Sequence, residues 1–178
     1  MDKKIKKIIL TGPESSGKTT LAQQLAEQFD SVWVPEFART YLEGLKRPYR
    51  EDDLVKIAKG QKDLEDFFYK KANRFLFCDT SMLVIKVWSE YRYQSCDKWI
   101  TEQFEKDQQE LYILCSPDIP WTFDPQRENP NDREELLKIY KKELTKYEKK
   151  YIQVSGNEHD RFSKIVSYLS RESEINAQ

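Results

Sequence analysis

The sequence predicts an α/β fold built on a five-stranded, mostly parallel sheet. Three observations carry this prediction. Short apolar runs alternate with longer amphipathic stretches along the chain. No internal repeat, low-complexity tract or Gly/Ser linker interrupts that alternation. A glycine-bearing turn separates the first apolar run from the first amphipathic stretch. The chain has 178 residues, of which 38% are hydrophobic and 13% aromatic, enough apolar material for one packed domain. That domain is placed over residues 1–170, with a polar, frayed tail over 171–178.

The strands are expected at Lys7–Leu10, Ser31–Val34, Arg74–Cys78, Leu111–Cys115 and Tyr151–Val154, each a short run bounded by polar or turn-forming residues. Between the first two, Leu21, Leu25 and Phe29 recur every four residues with Ala22 and Ala26 beside them, which predicts a helix. Leu54, Ile57, Ala58, Gln61, Leu64 and Phe68 mark a second, long helix. Met82–Tyr91 and Trp99–Lys106 read as two more. Leu136, Leu137, Tyr140, Leu144 and Tyr147 mark a charged helix, and Phe162, Ile165, Val166 and Leu169 a last one.

Composition removes several classes of function. Lys plus Arg number 30 against 31 for Asp plus Glu, a net charge of -1, so no basic excess argues for nucleic acid or an acidic membrane surface. No apolar run approaches the roughly 18–20 residues of a membrane span, and Ile8-Ile9-Leu10 is too short for a secretory signal. Cys78, Cys96 and Cys115 are odd in number, far apart and without a CxxC pair, as in a reducing cytoplasm. The expectation is therefore a cytoplasmic protein with a small-molecule substrate; its oligomeric state is not encoded legibly.

The turn after the first strand carries the chemistry. Gly12-Pro13-Glu14-Ser15-Ser16-Gly17-Lys18-Thr19 matches GxxxxGK(S/T) in full, after a strand and ahead of a helix opening at Thr20. In such a loop successive backbone amides point inward at phosphate oxygens, and the helix that follows adds the positive end of its dipole. Gly12, Glu14, Ser15, Ser16, Gly17, Lys18, Thr19 and Thr20 are thus the candidate nucleotide-binding set, with ATP as the expected ligand. Lys18 supplies charge to the β and γ oxygens and Thr19 a hydroxyl to Mg2+. No NKxD-type guanine-reading element is present, and a ring-forming AAA+ ATPase needs more chain for its helical lid domain. A small kinase remains, a P-loop kinase-like three-layer fold.

A kinase needs a second pocket. In small P-loop kinases strands 1 and 3 are commonly neighbours, with strand 2 beyond and strand 4 on the other side, so the carboxyl ends of all four face one crevice. Glu36 and Arg39 follow strand 2: Glu36 could take or orient an acceptor hydroxyl and Arg39 reach a phosphate or sugar, or the pair could cap the next helix. Asp79 ends strand 3, where a carboxylate can hold magnesium beside Thr19, or cap the helix from Met82. After strand 4, residues 117–133 hold four prolines, Trp121, Phe123, Asp124, Arg127 and Arg133, the makings of a lid in which arginine forks close on phosphate. The catalytic candidates are Lys18, Glu36, Asp79 and Arg127; the metal candidates are Thr19 and Asp79. Trp33, Trp88 and Trp99 are assigned to the core and Trp121 to ligand contact. A nucleotide-dependent binding module is the rival reading, but it has no need of Glu36, Arg39 and an arginine-bearing lid together.

The same residues, taken in order, resemble a known family. Gly12 to Leu21, Glu36-Phe37-Ala38-Arg39-Thr40-Tyr41, Ile57-Ala58-Lys59-Gly60-Gln61, Asp79-Thr80 and Pro120-Trp121-Thr122-Phe123-Asp124-Pro125-Gln126-Arg127 are similar to the NadR-type ribosylnicotinamide kinase domain. The E-(F/Y)-(A/G)-R-x-Y and PWxxDxxR elements are far more specific than the phosphate loop. The resemblance implies transfer of the ATP γ-phosphate to the 5′-hydroxyl of nicotinamide riboside. Glu36, Arg39, Asp79, Trp121 and Asp124 would then line the acceptor side, with a different nucleoside or small metabolite as the alternative acceptor. Ser81 stands where the family pattern suggests a second Asp, and Pro125 where it has Gly. Multifunctional members carry a DNA-binding element and an adenylyltransferase ahead of the kinase. Here eleven residues precede the phosphate loop and His159 is the sole histidine, so a free-standing kinase without the HxGH signature is expected.

Overall fold

The computed structural model describes residues 5–106 and 110–175. In chain order the elements are β1 (Lys6–Thr11), α1 (Lys18–Gln28), β2 (Val32–Val34), α2 (Phe37–Gly44), α3 (Glu51–Tyr69), β3 (Phe75–Asp79), α4 (Met82–Tyr93), α5 (Lys98–Lys106), β4 (Leu111–Cys115), α6 (Arg133–Lys146), β5 (Tyr151–Val154) and α7 (Glu158–Ile175). The strands form one sheet in the order β2-β3-β1-β4-β5, and every neighbouring pair is parallel. The expected adjacency of strands 1 and 3 is present, with Leu10 of β1 level with Asp79 of β3. Both the phosphate loop and Asp79 therefore leave the sheet at the same edge.

Burial follows the two-residue period of the strands. Ile8 and Leu10 of β1 face a core shared with Leu21 and Leu25 of α1 and Ile165 and Leu169 of α7. Ile9 faces the opposite core, with Leu54 and Ile57 of α3, Leu83 of α4, Phe104 of α5 and Leu144 of α6. All of β3 and β4 is buried, as central strands covered on both faces must be. The result is the three-layer α/β architecture the sequence predicts. No helix among the described residues is long and apolar enough to cross a membrane.

Two elements differ from the sequence reading. Helix α2 begins directly after Glu36 and was not anticipated, because eight residues burying only Ala38 leave too short a periodicity to see. Helix α7 runs on through Ile175, where a frayed tail from Arg171 was expected. Its extension is held by Glu172, which accepts hydrogen bonds from Lys6, Lys150 and the Tyr168 hydroxyl. Residues 176–178 of the expected tail lie outside the described residues. A buried ion pair ties α4 to α6: Lys86 donates to Glu90 (2.7 Å) and to Glu143 (2.6 Å).

Burial alone would raise the Glu172 carboxyl, but the Lys150 and Lys6 ammonium groups outweigh it and hold the group at about 2. A carboxyl depressed on folding stabilises the protein above its unfolded value and loses that contribution as pH falls through the folded value. Glu172→Gln should therefore lower the unfolding free energy at neutral pH by on the order of 1–2 kcal/mol, allowing for solvent screening. The gap between the two proteins should close as urea melts are repeated from pH 5 towards pH 2.

Candidate active site

The phosphate loop joins β1 to α1 and is shaped by where its carbonyls go. Lys18 Nζ donates to the carbonyls of Gly12 (3.0 Å) and Pro13 (2.7 Å), and the Ser16 hydroxyl donates to Pro13 as well (2.7 Å). Arg133 Nη1 donates to the Ser15 carbonyl (3.2 Å), Arg161 Nη1 to that of Ser16 (2.9 Å) and the Leu21 amide to that of Gly17 (3.2 Å). With these carbonyls engaged by the protein, the loop presents its amides to the cleft. Ser15 (φ 53°) and Gly17 (φ 80°) are left-handed, the local geometry that turns successive N–H groups into an anion-binding concavity. Gly12 is required twice over: its φ is 131°, and a Cβ there would meet the Cys115 carbonyl oxygen at 2.5 Å.

Asp79 stands beside this loop. Its Oδ2 accepts the Thr19 hydroxyl at 2.5 Å, while its Oδ1 is buried with no hydrogen-bond partner. The N-cap position of α4 is Ser81, so Asp79 is not the cap of that helix. Burial pushes the Asp79 carboxyl up, with Lys18, the Thr19 hydrogen bond and Arg39 pulling the other way. A buried, under-compensated carboxylate with a free oxygen next to a threonine hydroxyl suits a hard, oxygen-seeking cation.

Glu36 occupies the N-cap position of α2 but makes no capping bond with its side chain. It is half-buried by area yet ringed by protein, and its carboxyl is raised first by burial and then by the nearby Asp79 charge; Lys18 and Arg39 offset part of that. Two carboxyls thus face the same ammonium group. What holds Glu36 there is α3: the Gln61 side chain accepts the Phe37 amide (2.8 Å) and donates to the Pro35 carbonyl (3.4 Å), clasping the residues on either side. Gly60 lets the two helices meet, since a Cβ on it would lie 2.1 Å from the Phe37 ring. The Ile57–Gln61 motif owes its glycine and glutamine to this contact.

The irregular loop between β4 and α6 closes over the site through bonds to the phosphate loop and to α2. Glu14 accepts the amides of Glu128 (3.1 Å) and Asn129 (3.0 Å), and Ser15 Oγ accepts that of Thr122 (3.1 Å). Arg39 Nη1 donates to Asp124 Oδ2 (2.9 Å), and Gln126 Nε2 donates to the Arg39 carbonyl (3.2 Å). Beneath the loop lies a cavity of about 220 Å³. At one end are Gly12 to Thr20, including all the nucleotide-binding candidates; Glu36, Arg39, Asp79 and Arg127 also line it. The far wall is apolar and aromatic: Val84, Val87, Trp88 and Tyr91 of α4, Leu136 and Tyr140 of α6.

The structure thus gathers Lys18, Thr19, Glu36, Arg39, Asp79 and Arg127 and leaves two candidates outside. Trp121 is not a lining residue; its ring has the guanidinium carbons of Arg133 and Arg127 at 5.6 and 5.8 Å, so its aromatic face is taken by the loop's own arginines. Asp124 is committed to Arg39 and to the Gln126 amide (2.9 Å). Arg133 is likewise occupied with the carbonyls of Ser15 and Ile119 (3.0 Å). Conversely, Trp88 was read as core but is half-buried and lines the cavity, as does Tyr91. Val84, Val87, Trp88 and Tyr91 recur at helical spacing along one side of α4, but Val87 also belongs to the core, so the pattern does not by itself separate cavity from core. The buried Arg161 left no sequence signal, standing as one arginine among many.

Comparison with known proteins follows this geometry. A family described as "AAA domain" matches residues 7–161. The trifunctional NAD biosynthesis/regulator protein NadR of Escherichia coli (strain K12) is 27% identical over 173 residues, covering 93% of this chain and 42% of that protein. The chain thus spans less than half the length of the curated relatives it matches. A crystal structure of NadR protein in complex with NR superposes with a TM-score of 0.76 at 22% identity, over 93% of this chain and 51% of that one. Thymidylate kinase from Ehrlichia chaffeensis gives 0.65 at 11% identity, over 93% and 98%. The sequence resemblance to NadR and the kinase-like fold are therefore both shown.

Gly60→Ala should drive a methyl into the Phe37 ring and displace the start of α2. We expect a loss of about 1–3 kcal/mol in unfolding free energy, with transfer activity falling further than stability because Glu36 moves. Gln61→Ala, which leaves the helix contact intact, should lower turnover with a smaller change in thermal midpoint. Unchanged turnover in a folded Gln61→Ala protein would remove the role given to that clasp.

Proposed function

The chain belongs to the AAA domain family of P-loop proteins, and from that premise we propose that it transfers the γ-phosphoryl group of ATP to the 5′-hydroxyl of nicotinamide riboside, giving nicotinamide mononucleotide. One observation carries the reading: a single cavity has a phosphate loop at one end, the Glu36 and Asp79 carboxyls beside it and the Trp88 and Tyr91 rings on the far wall. The likeness to NadR, and to a NadR structure in complex with NR, supports the same acceptor.

Phosphoryl transfer has a loose transition state, so the protein's task is to position two substrates and balance charge. The amides of the phosphate loop and Lys18 hold the β and γ phosphates. Thr19 and Asp79 would hold magnesium, which when bound neutralises charge developing on the phosphate oxygens. Glu36 accepts a hydrogen bond from the 5′-hydroxyl, aligns its oxygen with the γ-phosphorus and takes the proton as the new O–P bond forms and the bond from the γ-phosphorus to the bridging oxygen breaks, with ADP as the leaving group. Arg127, lining the cavity from the closing loop, adds positive charge near the transferring group. The closing loop excludes water, which would otherwise accept the phosphoryl group.

The acceptor differs from an ordinary nucleoside in charge. Its base is a pyridinium cation, and a cation over an aromatic face gains roughly 0.5–2 kcal/mol. Trp88 and Tyr91 supply such faces, and the Glu128 side chain adds a carboxylate to the same lining. Neutral pyrimidine nucleosides gain nothing from this arrangement beyond stacking.

Purified protein with ATP and magnesium is therefore expected to phosphorylate nicotinamide riboside well ahead of uridine or cytidine. Equal turnover of uridine, or none of the riboside, would overturn the acceptor assignment. Lys18→Ala should abolish transfer by orders of magnitude in a folded protein. Glu36→Gln should lower kcat by about 10²–10⁴-fold with ATP affinity little changed. Trp88→Leu should raise the KM for the riboside by roughly 10-fold and leave that for ATP nearly unchanged, whereas Trp121→Leu should act on loop stability and on both substrates alike.

A further inference from the structure

Two residues of the cavity wall, Trp88 and Glu128, come from separate elements, α4 and the closing loop. A third residue outside the lining connects them. Trp88 Nε1 donates to the Tyr49 hydroxyl at 3.0 Å, and that hydroxyl donates in turn to Glu128 Oε2 at 2.7 Å. We propose that Tyr49 is a positioning residue: its hydroxyl fixes the Trp88 ring that receives the acceptor base and latches the closing loop in place over it. The proposal rests on the acceptor reading above for the identity of the base, but the latch itself is independent of it.

Tyr49 is well placed to serve as a fixed post. It sits between α2 and α3, and a residue on either side of it in the chain, Arg47 and Arg50, is anchored to the buried Asp53 carboxylate. Arg47 donates to Asp53 through both terminal nitrogens (2.7 and 2.9 Å), and the Arg50 amide donates to Asp53 Oδ2 (2.9 Å). The ring packs edge-on against Trp88, with centroids 5.0 Å apart at 66°, and against Tyr93 at 6.4 Å and 88°. Burial, reinforced by the Glu128 carboxylate, pushes its phenol up from the usual tyrosine value, so it remains a donor at any working pH.

The other end of the latch is anchored as well. The backbone amide of Glu128 donates to both oxygens of Glu14 (3.2 and 3.1 Å), a residue of the phosphate loop. Glu128 thus joins the phosphate loop through its main chain and the acceptor wall through its side chain. An indole held by its N–H has lost rotation about its ring axis, so the face turned to the cavity is set before the acceptor arrives. A tyrosine kept only for packing would have no reason to place both hydroxyl partners on one cavity lining.

Tyr49→Phe removes the hydroxyl and keeps the ring contacts. Two hydrogen bonds are lost, the Trp88 ring is no longer held for the acceptor, and the KM for nicotinamide riboside should rise roughly 10-fold. The KM for ATP should stay within about twofold, and amide hydrogen exchange at Glu128 and Asn129 should accelerate in the free protein. Glu128→Ala, which removes the acceptor oxygen, should accelerate the same exchange, and the double variant should add little to the exchange effect of either single one. A fall in thermal midpoint with both KM values rising together and lid exchange unchanged would make Tyr49 merely structural and overturn the proposal. Should the wild-type protein prefer another acceptor, the acceptor reading fails while the exchange arm still decides the latch: faster exchange in Tyr49→Phe sustains it, equal exchange ends it.

Discussion

A phosphate loop works only if its carbonyls are held away from the ligand, and here Lys18 takes those of Gly12 and Pro13, Arg133 that of Ser15 and a buried guanidinium, Arg161, that of Ser16. Arg161 of α7 is 2% exposed and donates to the carbonyls of Ser16 (2.9 Å), Ser116 (3.0 Å) and Gly156 (2.7 Å), with Asp118 as its counter-ion. It joins the phosphate loop, the end of β4 and the turn after β5 at one point. A charge so deeply placed is tolerated because its donors are spent on carbonyls that would otherwise be stranded. The Ser16 carbonyl of the phosphate loop, the place where the closing loop departs and the docking of the last helix are tied together by that cross-link.

The second constraint is electrostatic. Glu36 and Asp79 approach the same ammonium group, and burial makes both harder to ionise. Such an arrangement is unfavourable in isolation and pairs naturally with a ligand that brings cations of its own. Under the proposed function an ATP–magnesium complex would alter the local balance, compensating Asp79 directly and leaving Glu36 as the carboxyl free to meet a hydroxyl.

The sequence made the fold legible because its signals are local. Parallel strands buried on both faces write themselves as unbroken apolar runs, and the turn at Gly12–Thr19 fixes which end of the sheet carries the chemistry. Lys18, Thr19, Glu36 and Asp79 were readable for the same reason: each ends a strand or opens a helix. What sequence could not supply was direction. Trp121 stands in a loop rich in candidates, yet its ring faces Arg127 and Arg133. Trp88 lies in a helix whose other face is core, and only the packing of α4 against α3 and α6 turns its indole to the cavity. Arg161 and Gln61 act through backbone groups of distant segments, and no periodicity records such partners.

The departures from the family pattern also acquire physical content. Pro125 stands where the resemblance leads one to expect glycine, in a segment of the closing loop where the Arg127 amide donates to the Asp124 carbonyl at 3.0 Å and closes a four-residue turn. Pro125 occupies the second position of that turn, where its fixed φ is favourable, and the Asp124 carboxylate reinforces the turn by accepting the Gln126 amide. A glycine there would leave the turn to be ordered on closure; proline restricts it beforehand and lowers the entropy lost when the loop folds over its ligands. Ser81, standing for an expected Asp, takes the N-cap position of α4 with its hydroxyl buried and without a partner. Ser81 lines a separate pocket with Lys7, Lys62, Glu65 and Glu110 rather than the cavity of Glu36 and Asp79, so a carboxylate at that position would meet those charges and leave Lys18 to the two carboxyls already beside it.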